Sequence, residues 1–400
     1  MKARSLITLL TAAVLAALLL TAGCGGAVQP EATTQPMPSP TQTPIPTPTP
    51  TPEPELPAGN IVTVDGTELA SGSVIKNDVA YVKLSEAAQA LSLELAQRED
   101  GAVSFSWRSR TAELAPDSDQ LTLDGEARAL AAPVIRYREE LWLPVDSVCE
   151  ALDISLFYDE EYAHLYCTPG AGNWELPEGY KVPVFMYHYV SDAMWKDGEL
   201  FSSPSQVDEQ INYLLENGFD LIWFSDLEHI EDYDKPLILT FDDGYADNYT
   251  ELFPILQKYN VKATFFIVSN FLTGNNHNMS VEQVQELAAS GLVDIQSHSY
   301  SHPELDKLSG KDQEFQLAQS KLDLVRITGK EPFVFCYPRG KENQTTRDLV
   351  EEYYRFGVKM GGPIYCTGDD QTLVYRIYIK RGYGARALRE ILGRYGYEMS

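Results

Sequence analysis

The segment Thr240-Phe241-Asp242-Asp243-Gly244-Tyr245 is followed about fifty residues later by His298-Ser299-Tyr300-Ser301-His302. Imidazole nitrogen and carboxylate oxygen are the donors that Zn²⁺ and similar ions take, and a catalytic site offers three protein ligands with water completing the shell. One aspartate and two histidines meet that count, which leaves the second aspartate as a base. Water on such an ion falls from a pKa of about 15.7 toward about 7, so hydroxide becomes available at neutral pH.

The flanking sequence says where these groups sit. Leu237-Ile238-Leu239-Thr240-Phe241 is a short apolar run beginning after Pro236, and it reads as a buried strand. Asp242 and Asp243 therefore stand at its C-terminal end, in the crevice where open α/β sheets and barrels place their chemistry. Neighbouring side chains on extended backbone point to opposite sides, so one carboxylate can hold metal while the other faces the attacking water. A four-residue spacing would suit one face of a helix, but Pro303 pushes His302 out of α geometry. Both histidines then belong to the loop after the strand Val293-Asp294-Ile295-Gln296.

The surrounding elements alternate. Val184-Phe185-Met186-Tyr187-His188-Tyr189 reads as a first strand with His188 near its C-terminal end. Residues 204–217 carry Val207, Ile211, Leu214 and Leu215 at helical spacing, with Ser203 as cap and Gly218 as stop. A strand over 219–223, a helix over 248–259, a strand over 263–268 and a helix over 280–290 follow. Strands alternating with helices imply a parallel sheet.

The paired motifs resemble the polysaccharide deacetylases of carbohydrate esterase family 4, the NodB-homology domain, over roughly residues 181–400. The resemblance implies an α/β fold with a distorted (β/α) barrel of fewer than eight regular units. It also implies that Asp242 is the general base and that Asp243, His298 and His302 bind a divalent metal, most simply Zn²⁺. Phe333-Val334-Phe335-Cys336-Tyr337-Pro338-Arg339-Gly340 resembles the family's third motif, so the N–H of Arg339 would help hold an oxyanion. The family's arginine two residues before that proline is replaced by Cys336, and Arg339 or Arg376 is left to supply the charge that orients Asp242. No histidine follows His302, so the family's late imidazole acid is missing. His188 is the candidate in its place, and its Tyr-His signature resembles the branch of the family acting on poly-N-acetylglucosamine. His164, His229 and His277 lack such a context. Tyr187, Tyr189, Trp195 and Tyr245 are candidates to stack on sugar rings.

Upstream of the barrel the chain changes character. Lys2 and Arg4 precede an apolar stretch ending in Thr21-Ala22-Gly23-Cys24, which reads as a lipoprotein signal over 1–24 with lipidated Cys24. Residues 25–59 form a Pro/Thr-rich linker, with eleven prolines between Pro30 and Pro57, extended at about 3.1 Å per residue. Residues 60–168 hold an internal repeat: the segment from Tyr81 to Leu91 aligns with that from Trp142 to Leu152, each a strand entering a short helix. That unit resembles the N-terminal domain of copper amine oxidases and reads as a small α+β spacer or binding module. A second linker covers 169–180.

A net charge of −27 makes nucleic acid and anionic wall polymers poor partners, whereas a neutral acetylated glycan is compatible. Cys149 and Cys167 lie in the spacer and Cys336 and Cys366 in the barrel, which permits one disulfide in each. Cys336 reads equally well as a small buried apolar residue. The expectation is a monomeric, lipid-anchored, metal-dependent enzyme on the outer face of the bacterial membrane. It would remove N-acetyl groups from poly-N-acetylglucosamine or peptidoglycan. The alternatives are an O-acetyl esterase on a glycan such as xylan, or a glycan-binding surface lipoprotein.

Overall fold

A computed structural model describes residues 54–169, 175–194, 198–275 and 277–399. The signal sequence, Cys24, the proline tract up to residue 53 and Trp195 lie outside the described residues.

Seven parallel strands close the barrel: β1 (Val184–Tyr187), β2 (Pro236–Asp242), β3 (Ala263–Ile267), β4 (Val293–Ser297), β5 (Val334–Cys336), β6 (Phe356–Met360) and β7 (Val374–Tyr378). Closure comes from β1, which pairs with β2 on one edge, Val184 opposite Ile238, and with β7 on the other, Phe185 opposite Ile377. A barrel strand is covered on both faces, which is why β2 is buried along its whole length and reads as an unbroken apolar run.

Side chains alternate across each strand, and the two faces join different cores. Leu237, Leu239 and Phe241 pack outward against the helices together with Phe265, Ile267, Val293 and Ile295. Ile238, Phe266, Val334, Val358 and Val374 fill the barrel. That parity carries Thr240, Asp242 and Arg376 to the interior.

Helices α1 (Pro204–Glu216), α2 (Phe253–Tyr259), α3 (Val281–Ala289), α4 (Gly310–Thr328), α5 (Gln344–Tyr353) and α6 (Ala385–Gly393) surround the strands. Ser203 caps α1 through the Gln206 N–H, and Ser280 and Gln283 form a reciprocal capping box on α3. The helix expected over 248–259 divides into a wide turn, Asn248–Leu252, and α2. Pro254 has no N–H to donate to the preceding turn, so the helix restarts there. The strand expected over 219–223 contracts to Asp220–Leu221, which pairs only with β2.

The N-terminal module is β-rich. Its repeat is realised as two strand-helix units: Val79–Lys83 entering helix Leu84–Ala90, and Glu140–Pro144 entering helix Val145–Ala151. The two strands pair antiparallel, Leu143 opposite Val82. Between them a five-stranded antiparallel meander spans 96–129, with hairpin strands that the repeat alone did not show. The module docks on the C-terminal end of α4, where Arg326 binds Asp159 through two bonds of 2.7 and 2.9 Å and the Gly66 N–H donates to the Gly329 carbonyl. All four cysteines of the described residues are unpaired thiols.

Candidate active site at the mouth of the barrel

Asp242 is the last residue of β2, and the pleat ends with it. Asp243 and Gly244 both take φ of +76°, a left-handed turn rather than extended backbone. The two carboxylates are therefore not separated by strand alternation as expected; the turn brings both to one cavity of about 620 Å³, with His188, His298, His302, Arg339 and Arg376 also on its walls. A non-glycine residue held in this region stores strain, which persists where the surroundings over-determine it.

Asp242 is 2% exposed and is gripped by the Arg376 guanidinium, Nη1 to Oδ1 at 2.6 Å and Nη2 to Oδ2 at 2.7 Å. Burial works against its charge, but Arg376 outweighs burial and holds the carboxyl below its ordinary range. Arg376 also donates to the Thr240 hydroxyl at 2.9 Å and to Cys336 Sγ at 3.0 Å. Cys336 is thus more than an apolar filler. Of the two arginines considered, Arg339 does not serve Asp242: its side chain is 63% exposed and pairs with Glu304 at 3.3 Å. Arg339, with φ +56°, follows Pro338 and lines the cavity.

The second carboxylate has a different environment. Asp243 Oδ2 accepts from the Tyr245 hydroxyl at 2.7 Å, while Oδ1 is buried with no hydrogen-bond partner. Nε2 of His298 and Nε2 of His302 each lie 3.4 Å from that oxygen. His298 Nδ1 is 2.7 Å from the Cys336 carbonyl; with the proton on Nδ1 that nitrogen donates and the Nε2 lone pair faces the cavity. The loop holding the imidazoles is fixed by left-handed Ser299 and His302 and by α4, whose Gln316 carbonyl and side chain accept the N–H groups of Tyr300 and Ser301.

Burial opposes ionisation of Asp243, yet His298 depresses its pKa strongly, and His302 is lowered to about 4 by burial and by His298. Two imidazole nitrogens and one orphaned carboxylate oxygen converging in a buried place suit a divalent cation. Asp242, His298 and Cys336 also lie close together, but Arg376 already neutralises Asp242, and burial pushes the Cys336 thiol up, away from thiolate. The residues fit one ion, at Asp243, His298 and His302.

His188 stands at the break between β1 and a short strand Tyr189–Val190. Its Nε2 is 3.8 Å from Asp242 Oδ2, and burial lowers its pKa although Asp242 opposes this. Tyr187 and Tyr189, expected against sugar rings, are 2% and 1% exposed. They are core residues, and Tyr189 stacks on Tyr245 at 3.7 Å. His164 and His229 lie away from this cavity; His164 bonds the Thr63 hydroxyl in the N-terminal module. A larger cavity of about 840 Å³ between module and barrel has no histidine on its walls.

A closed parallel barrel with this cluster at its strand ends defines a hydrolase of the (β/α)-barrel class. Within that class the chain belongs to the polysaccharide deacetylase family, whose model matches residues 229–356. YxkH of Bacillus subtilis, provisionally named a polysaccharide deacetylase, is 30% identical over 213 residues, covering 52% of this chain and 74% of YxkH. The poly-β-1,6-N-acetyl-D-glucosamine N-deacetylase of Escherichia coli is 29% identical over 134 residues, 29% of this chain and 20% of that protein. Residues 63–167 match the copper amine oxidase N-terminal domain. A polysaccharide deacetylase from Bacillus cereus has a similar fold, with a TM-score of 0.51, 21% identity, and coverage of 74% of this chain and 98% of that one.

Proposed function

We propose that this protein is a divalent-metal-dependent N-deacetylase of a cell-surface polymer of N-acetylglucosamine, either poly-N-acetylglucosamine or peptidoglycan. One observation carries the reading: a buried carboxylate clamped by Arg376 lies beside a second carboxylate whose free oxygen faces two imidazoles. An ion held by Asp243, His298 and His302 would acidify water and polarise the acetyl carbonyl.

The chain's own groups do the rest. Asp242, kept ionised and oriented by Arg376, takes the proton of the attacking water. Arg339 lines the cavity, and its N–H would donate to the oxyanion. His188 Nε2, 3.8 Å from Asp242 Oδ2, can receive the proton that Asp242 collects and pass it to the departing amine. Acetate and a free glucosamine amine result. The E. coli relative's named substrate is a polymer of this kind. Export, lipidation of Cys24 and display outside the membrane on the proline tract complete the proposal.

O-acetyl ester hydrolysis, for instance on xylan, is the second reading. It is favoured by the lack of any histidine after His302, because an alkoxide leaving group depends less on an acid. Acetate release by the purified chain, with and without chelator, on β-1,6-N-acetylglucosamine oligomers and on acetylxylan separates the two. The glucosamine oligomers are expected to be the better substrate. Release from acetylxylan alone transfers the assignment to an esterase, and no release from either after metal loading sinks the enzymatic reading.

A further inference from the structure

Asp247 and Asn248 follow the Asp-Asp turn and are buried, 8% and 0% exposed, yet the chemistry above does not use them. Their side chains reach the backbone of the segment that carries His188. Asn248 Nδ2 donates to the His188 carbonyl at 2.9 Å, and Asp247 Oδ1 accepts from the Val190 N–H at 3.2 Å. Asn248 Nδ2 also donates to Asp247 Oδ1 at 2.9 Å, so the two side chains brace each other.

The His188 ring needs such support. Its Nδ1 is buried without a hydrogen-bond partner, and its Nε2 faces Asp242 at 3.8 Å, beyond hydrogen-bond length. His188 also falls between two strands and outside the barrel ladder. Its place beside Asp242 is therefore set through its backbone. Ordinary packing would be served better by apolar residues, because Asp247 Oδ2 and Asn248 Oδ1 are each buried and unsatisfied, which costs stability. A fold tolerates such a cost where position matters more than stability.

We propose that Asn248, braced by Asp247, is a positioning residue for the deacetylation: it ties His188 to the same turn that supplies Asp242 and Asp243. Proton donor, base and metal ligand are then tied to one loop, which fixes their separations. This rests on the reading of His188 as proton donor. A displacement of about 1 Å between reacting groups can cost about a hundredfold in rate.

The test is a double-mutant cycle on the full chain with β-1,6-N-acetylglucosamine oligomers. Asn248→Ala is expected to lower kcat by about 10- to 100-fold, with KM and bound metal unchanged. In a His188→Ala background it should cost nothing more. Equal losses in both backgrounds, or a wild-type kcat in Asn248→Ala, overturn the proposal. Should that variant fail to accumulate, Asn248→Leu, which keeps the volume, is read in the same way. A crystal structure of the Asn248 variant in which His188 keeps its place beside Asp242 also overturns it, whatever His188→Ala does. Wild-type kcat in His188→Ala alone instead removes the proton-donor reading, so the two failures are distinct.

Discussion

Arg376 reaches from β7 to Asp242 on β2, two strands around the barrel, and meets both carboxylate oxygens at 2.6 and 2.7 Å. The contact exists because both residues occupy inward-facing positions and because β1 bridges their strands. The pair is buried, with side chains 2% and 3% exposed, so removing one partner leaves an uncompensated charge.

Arg376→Met should therefore lose about 3–5 kcal/mol of stability in urea unfolding. Arg376→Lys keeps the charge without the fork. It is expected to retain most stability while kcat falls about tenfold or more and KM stays level. A wild-type kcat in Arg376→Lys would show that the two-pronged clamp does not orient the base.

The two aspartates should separate by readout. Asp242→Asn is expected to bind Zn²⁺ normally and lose at least about a thousandfold in kcat, whereas Asp243→Asn and His302→Ala should lose metal and activity together. Elemental analysis of dialysed protein beside acetate release checks this. Chelation of the wild-type protein should abolish activity, and added Zn²⁺ should restore it.

Asp247 makes stability depend on pH. Burial raises its carboxyl to about 6, above the value of about 3.9 expected in the unfolded chain. Between those values the folded chain binds more protons than the unfolded one, so this residue's contribution falls as pH rises from about 4 to about 6. Asp247→Asn should accordingly raise stability at pH 7.5 and leave it unchanged near pH 4. Urea titrations at the two pH values measure the difference. A variant no more stable at pH 7.5 than the wild type would mean that Asp247 is not held as a costly buried charge.

The docking of module on barrel rests partly on Asp159 and Arg326. Burial disfavours the Asp159 charge, but Arg326 outweighs it and lowers the pKa of the carboxyl. Since Asp159 is 3% exposed, a double-mutant cycle with Asp159→Ala and Arg326→Ala should show coupling of about 1.5–3 kcal/mol. Coupling near zero would assign the docking to backbone contacts such as Gly66 with Gly329.

Several elements were legible because their causes are local. The apolar run before Asp242, the Ser203 cap and the repeated strand-helix unit of the N-terminal module are written within a few residues of where they act. β7 went unread although Val374-Tyr375-Arg376-Ile377-Tyr378 is rich in β-branched and aromatic residues, a strand signal that was available. Pro254 likewise marked the break ahead of α2. The left-handed turn at Asp243 was less accessible, since a non-glycine residue takes that conformation only where its surroundings force it.

Local properties, residue type and strand periodicity, were enough to pick out Asp242, Asp243, His298 and His302 as candidates and to set them near strand ends. The choice between Arg339 and Arg376 needed the folded barrel, since the partner lies 134 residues from Asp242 and is brought to it by barrel closure. Tertiary structure also decided which aspartate is clamped and which keeps an open oxygen. That difference arises from neighbours contributed by β5, β7 and the His298 loop, which no short window of the chain contains.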